Sequence, residues 1–236
     1  KLLASGKDVI ASIAPAFRSE FDRVTDHDFV YAVKQLGFSG VSETALGAEE
    51  VSGHVYRMLN NSTGADHPMI STACPVVVNY IRKYFPSLTD MLTPVLSPML
   101  SHATMLKELY PDTAVVFFGP CIAKKDEIAQ FPNICDSVLT FQNLRMMFEQ
   151  KGITFGKGKA GTDVFIPRKA KEGTVYPVDG GMIAGIRGNG RIIDRHMMHF
   201  SGIPEIESVL KSLSTLKPEE PLFLELLACS GGCING

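Results

Sequence analysis

Three times in this chain a short apolar run stops at a turn, and the residues that follow deliver a cysteine: MISTACP at 69–75, TAVVFFGPC at 113–121 and PLFLELLAC at 221–229. Such runs read as buried strands, and helical stretches separate them, which predicts an α/β class with sheets covered by helices. In open α/β folds ligands gather at the carboxyl ends of the strands. Cysteines delivered there are the main clue to what the chain holds.

The segments between follow the same plan. DVIASIAPAF (8–17) is a strand ending at Pro15, and DHDFVYAVKQLGF (26–38) a helix capped by Asp26, packed through Phe29, Val33 and Leu36 and stopped by Gly37. Pro75 suits a first helical turn and so places Cys74 at a helix N-terminus, while Ser97 and Pro98 open another helix as cap and first residue. Residues 152–173, rich in Gly and Lys, read as an exposed connection. Within it GKGKAG (156–161) fits G-x-G-x-x-G but follows no strand, so it is read as a flexible loop without a nucleotide. His196 and His199 have helical spacing and are assigned to surface or packing, Met69, Met99 and Met182 to core filling with Met182 also a candidate cleft residue, and Cys135 to a buried thiol.

A length of 236 residues at 45% hydrophobic composition builds a core without help from metal or disulfide, so any metal is functional. A net charge of -2 supplies no basic field, which argues against a nucleic-acid partner. No run reaches the roughly 18 apolar residues of a membrane span, and the charges in KLLASGKDVIASIAP do not suit a signal peptide. A cytoplasmic module, cut from something longer since it begins without Met, is the expectation. Five cysteines, an odd number, argue against a disulfide framework and for metal, redox or buried thiols.

Cys229 and Cys233 flank Ser-Gly-Gly. Two thiols on a loop need have no ligand role, but C-x3-C is looser than the usual zinc knuckle and shifts weight toward another metal centre. Gly231 and Gly232 let backbone approach a bulky inorganic core and aim N–H groups at its sulfides. GPCIAKK adds Cys121 with Lys124 and Lys125 behind it, and STACPVV adds Cys74. These make four thiolates, the number an iron–sulfur cubane takes, with lysine and a helix N-terminus to offset its negative charge.

STACP, the SP at 97–98, GPCIAKKDE, LELLACSGGCING and the opening IASIAPAFRSEF and YAVKQLGFSGVSET resemble, in order and approximate spacing, the H-cluster domain of the iron-only (FeFe) hydrogenases across nearly the whole chain. The resemblance implies a single module, 1–236, with lobe one about 1–105, lobe two about 106–224 and a C-terminal cysteine loop 225–236. Its metal site is expected in the cleft between the lobes. It implies Cys74, Cys121, Cys229 and Cys233 as ligands of a 4Fe–4S cubane, Cys233 bridging to a two-iron subcluster, Lys124 bonding a cyanide of that unit, and Pro120 and Ser97 lining its pocket. H2 and protons would be the substrates, and hydrogenase maturation proteins and an electron-transfer or signalling protein the partners.

The departures from that pattern carry as much information. Ala73 stands where the family has a proton-passing cysteine, and a positioned acid–base group is commonly worth about 10²–10⁴ in rate. Thr93 matches a hydroxyl of the same proton route, and Glu49 and Glu50 lie in the region of its acids. Val77 replaces a tryptophan, and Gly119 and Leu227 replace pocket methionines, which implies extra room beside the two-iron unit. The cysteine clusters that precede the domain in many members are not seen, so no internal electron wire is expected. Together these point to an H2-sensing or regulatory domain with slow turnover. The alternatives are an iron–sulfur scaffold or assembly protein carrying a cubane without the two-iron unit, and a cubane used only for electron transfer.

Overall fold

The structure, a computed structural model, describes residues 2–61, 68–190, 196–215 and 222–235. In chain order its strands and α-helices are β1 (Val9–Ile13), α1 (Phe17–Glu20), α2 (Asp26–Gln35), β2 (Gly40–Glu43), α3 (Ala45–Asn61), β3 (Met69–Ile70), α4 (Pro75–Tyr84), α5 (Pro98–Leu109), β4 (Ala114–Gly119), α6 (Lys124–Gln130), β5 (Ser137–Thr140), α7 (Phe141–Gln150), α8 (Gly181–Gly188), β6 (His196–Ser201), α9 (Ile203–Leu213) and β7 (Leu222–Leu227). They form two compact units, each built from two stretches of chain: Lys1–Gly47 with Met99–Lys171, and Ala48–Pro98 with Glu172–Gly236. This differs from contiguous lobes broken near 105. The reason is strand insertion: β4 enters beside β1, and β7 returns to lie beside β3.

The first unit carries a sheet of order β2-β1-β4-β5, parallel throughout. Every residue of β1, β2 and β4 is buried, which is why these strands read as continuous apolar runs without alternation. Polar atoms buried here are matched. His102, on α5, meets Ser12 Oγ through Nδ1 at 2.8 Å and Ser42 Oγ through Nε2 at 2.9 Å, and Ser12 Oγ lies 2.7 Å from Thr44 Oγ1. Burial pushes the His102 imidazole down to about 3, so it is neutral, one ring nitrogen donating and the other accepting.

The helix expected over 26–38 is present, but Thr25 caps it: its Oγ1 accepts the Asp28 amide at 3.3 Å, while Asp26 enters the helix and pairs with Arg18 and Lys169. GKGKAG opens no helix, yet Gly158 is closely packed. Its amide donates to Asp28 Oδ1 at 2.9 Å, and a Cβ there would lie 2.1 Å from the His27 carbonyl oxygen.

The second unit carries a smaller parallel sheet, β3-β7-β6, with β7 central. One side of β7 packs Leu224 and Leu226 with Ile70, Val77 and Ile81 and with Ile206 and Leu210 of α9. The other packs Phe223 with Val51 and Val55 of α3 and Met182, Ile183 and Ile186 of α8. Glu225 is buried within this apolar setting, and its carboxyl accepts the Met182 and Ile183 amides at 3.2 and 3.0 Å, capping α8. Burial pushes that carboxyl up to about 7, against the opposing effect of the two amide bonds.

Candidate metal centre

Three strand ends deliver cysteine, as the apolar runs imply. In the second unit β3 and β7 are parallel neighbours, with Met69 opposite Phe223 and Ile70 opposite Leu224, and the Ser71 amide extends the pairing to the Leu224 carbonyl at 2.9 Å. Cys74 lies four residues beyond Ile70 and Cys229 two beyond Leu227, so both leave the carboxyl edge of one sheet. Cys74 is buried in the same cluster as Leu226 and Leu227, with Ala228 packed against it. It is the N-cap of α4, with extended backbone, and Pro75 opens the helix. In the first unit Cys121 follows β4 by two residues. The five cysteines, all described, form no disulfide.

The loop from Cys229 to Cys233 is shaped by its glycines. Gly231 and Gly232 have φ of +76° and +102°, and a Cβ on Gly232 would lie 2.2 Å from the Pro177 carbonyl oxygen. Their amides, expected to face an inorganic core, are engaged within the protein: Gly231 N–H donates to Ser201 Oγ at 3.0 Å and Gly232 N–H to the Cys229 carbonyl at 3.0 Å. The physical reason is the close approach of the loop to segment 177–179 and to the end of β6.

Lys124 is the first residue of α6 and is buried, its Nζ donating to Glu127 Oε2 at 2.7 Å. Glu127, three residues on, was readable as an i,i+3 partner in KKDE and was missed. Pro120 and Cys121 are half-buried, and Ile122 beside them is 70% exposed. Gly119 does not leave the room expected of it, because a Cβ there would lie 2.6 Å from the Phe117 ring. Leu227 packs in the core with Cys74.

Thr93 is buried and its hydroxyl lies 3.2 Å from that of Thr72, which in turn donates to the Val95 carbonyl at 2.6 Å. This puts a hydroxyl pair next to Ala73 in the chain. Ser97 is buried just before α5. Glu50 is exposed on α3, whereas Glu49 lines a small polar pocket with Ser52, Glu172, Gly185, Gly188 and Asn189. Met182 fills the core, accepting Ser71 Oγ–H on its sulfur at 2.9 Å. His196 and His199 stand on the strand β6, not a helix, and His199 Nδ1 lies 3.1 Å from Asp179 Oδ1. Cys135 is a buried thiol donating toward the Ser137 carbonyl at 3.3 Å, and burial pushes it up to about 11. Among the described residues no three His, Cys, Asp or Glu side chains gather closely enough for a single metal ion. A cluster's thiolates spread around a core of several atoms and ask for wider spacing.

A parallel α/β protein with thiols at its strand ends is the class defined so far. The chain belongs to the family described as the iron only hydrogenase large subunit, C-terminal domain, whose model matches residues 7–236. It is similar to Iron hydrogenase 1 of Clostridium pasteurianum, at 27% identity over all of this chain and 50% of that protein. It is also similar to the NADP-reducing hydrogenase subunit HndD of Solidesulfovibrio fructosivorans, at 26% identity over 87% of this chain and 44% of the relative. The chain thus spans about half the length of these relatives or less. The cytosolic Fe-S cluster assembly factor NAR1 of Sclerotinia sclerotiorum is 26% identical over 64% of this chain and 34% of its own. Among solved structures, the [FeFe]-hydrogenase HydA1 of Chlamydomonas reinhardtii matches with a TM-score of 0.73 at 17% identity, over 98% of this chain and 79% of that one. That likeness concerns the fold. Among the described residues no helix is long and apolar enough to cross a membrane.

Proposed function

We propose that Cys74, Cys121, Cys229 and Cys233 ligate a 4Fe–4S cubane, and that Cys233 joins it to a two-iron subcluster when maturation proteins supply one. The observation that carries this reading is the Ile70–Leu224 pairing, from which Cys74 and the C-terminal cysteine pair leave one sheet edge. Membership of the iron-only hydrogenase family supports the cofactor class. The donor set suits it: thiolates, the positive end of α4 at Cys74, and a loop whose glycines allow close backbone approach.

When bound, the cofactor supplies H2 heterolysis and electron exchange. The chain's part is to hold, tune and move protons. Lys124, steadied by Glu127, offers a cationic donor, and the Thr93–Thr72 hydroxyl pair, next to residue 73 in the chain, is the candidate proton carrier. Ala73 has none to give, so turnover is slow. Slow chemistry suits H2 sensing or regulation through an electron-transfer or signalling partner, and the odd number of thiols suits the cytoplasm.

A second reading, an iron–sulfur scaffold without the two-iron unit, is supported by the likeness to a cluster assembly factor. Infrared spectroscopy on protein matured with hydrogenase assembly factors separates the two. Bands of CO and cyanide that change under H2 are expected, and a cubane without those bands favours the scaffold.

A further inference from the structure

The loop between Cys229 and Cys233 is held by side chains that the metal reading leaves unused. Gly231 N–H donates to Ser201 Oγ at 3.0 Å, and Ser201 Oγ–H donates to Asp179 Oδ2 at 3.1 Å. The other carboxylate oxygen, Asp179 Oδ1, is buried and meets His199 Nδ1 at 3.1 Å in a contact too poorly aligned for a hydrogen bond. His199 is half exposed. The hydrogen-bonded part of the chain runs from the Asp179 carboxylate through the Ser201 hydroxyl to an amide inside the cysteine loop, with His199 in charge contact behind it.

The backbone reinforces the clamp. Asp179 N–H donates to the Gly231 carbonyl at 3.4 Å, and Ile234 N–H to that of Pro177 at 3.3 Å. Ser230 Oγ lies 2.8 Å from where a Cβ on Gly202 would stand, so the loop is seated on the end of β6. A C-x3-C loop with two positive-φ glycines has wide conformational freedom of its own. Here the Gly231 amide has one acceptor, and that acceptor is fixed by one carboxylate.

We infer that Ser201 and Asp179, backed by His199, are the positioning residues of the Cys229–Cys233 loop, fixing the two thiolates for an iron–sulfur cluster and setting a negative charge behind them. The cluster half of this inference rests on the proposed function; the clamp does not. Ser201 fixes geometry through the amide. Asp179 acts through Ser201 and, by its charge, on the reducibility of whatever the loop holds, since a nearby negative charge opposes the arrival of an electron.

The test uses two readouts on the whole chain. In cluster-free protein, maleimide labelling of Cys229 and Cys233 is timed against Cys121 in the same molecule, for wild type, Ser201→Ala, Ser201→Thr and Asp179→Ala. Labelling of the pair is expected to quicken about fivefold in both alanine variants, the factor one hydrogen bond of ordinary strength gives. Cys121 is expected to be unchanged, and Ser201→Thr, which keeps the hydroxyl, to match wild type. After anaerobic reconstitution with iron and sulfide, Asp179→Asn is expected to raise the cluster's reduction potential and Ser201→Thr to leave it in place, a pattern that loosened packing does not give. Wild-type labelling rates in both alanine variants would overturn the inference. If wild type takes up no iron while the labelling difference stands, the positioning of the loop is upheld and the cluster reading falls.

Discussion

Ile70 and Leu224 sit directly opposite one another in parallel strands, and that pairing decides where two distant stretches of sequence leave their sheet. The Thr93 amide donates to the Ile70 carbonyl at 2.9 Å, so the hydroxyl beside Thr72 is tied to the same edge. The proposed cysteine ligands and proton carriers in the second unit are thus placed by one register. A shift by one residue would turn each strand's side chains to the opposite face.

Residue 73 is where the proposed proton route lacks a carrier. Ala73→Cys in matured protein is expected to raise H2 turnover about a hundredfold or more, the usual worth of a positioned acid–base group. The measurement is H2 evolution at saturating reductant. An unchanged rate would show that another step limits the chemistry.

His102 makes the first unit sensitive to acid. Its folded-state value is about 3 against 6.5 when unfolded, so the unfolded chain takes up the proton first and stability is lost as pH falls from about 6.5 toward 3. Urea midpoints are expected to drop over that window by more than in His102→Gln. That variant is less stable at pH 7, because Gln cannot reach both Ser12 and Ser42 as the imidazole does. Parallel pH curves for the two proteins would contradict the assignment.

Glu225 has the opposite sign. Its carboxyl titrates at about 7 folded and 4.5 unfolded, so the folded state holds the proton longer and stability is lost as pH rises from about 4.5 through 7. Glu225→Gln removes that loss. The stability difference is expected to move in the variant's favour between pH 5 and 7, by about 1 kcal/mol per pH unit. Thermal melts across this range check it.

Gly232→Ala forces an L side chain into φ +102° and against the Pro177 carbonyl. A destabilisation of about 1–3 kcal/mol is expected, together with weaker iron uptake. Gly152, with φ +61° and nothing near its missing Cβ, is the control and should cost less.

The strand ends, the helix beginning at Pro75 and the buried Cys135 were all legible, because continuous apolar runs, an N1 proline and an unmotivated cysteine each have a local cause. The cap of α2 lies one residue before the expected Asp26, since Thr25 and Asp26 are both good caps and only the turn geometry chooses between them. Three-residue separation in HMMHF does not distinguish a helix from a strand whose partner lies elsewhere in the chain, so the spacing of His196 and His199 suggests a helix where the chain forms β6. The roles of Asp179 and Ser201 were not legible at all. They meet Gly231 only after β6 and β7 pair, and no short-range signal carries that. The division into two units of interleaved chain is illegible for a similar reason: insertion of a late strand beside an early one leaves no mark in either segment.

Four of the five thiols are proposed to serve one iron–sulfur cluster, and the fifth to stand apart from it. Iron and sulfide analysis with EPR after anaerobic reconstitution tests it most directly. Wild type and Cys135→Ser are expected to take up about four irons per chain and give the signal of a reduced cubane, while Cys74→Ser, Cys121→Ser, Cys229→Ser and Cys233→Ser lose most of both. Wild type without iron, or the same iron content in all six proteins, would rule out a cluster held by these four thiols.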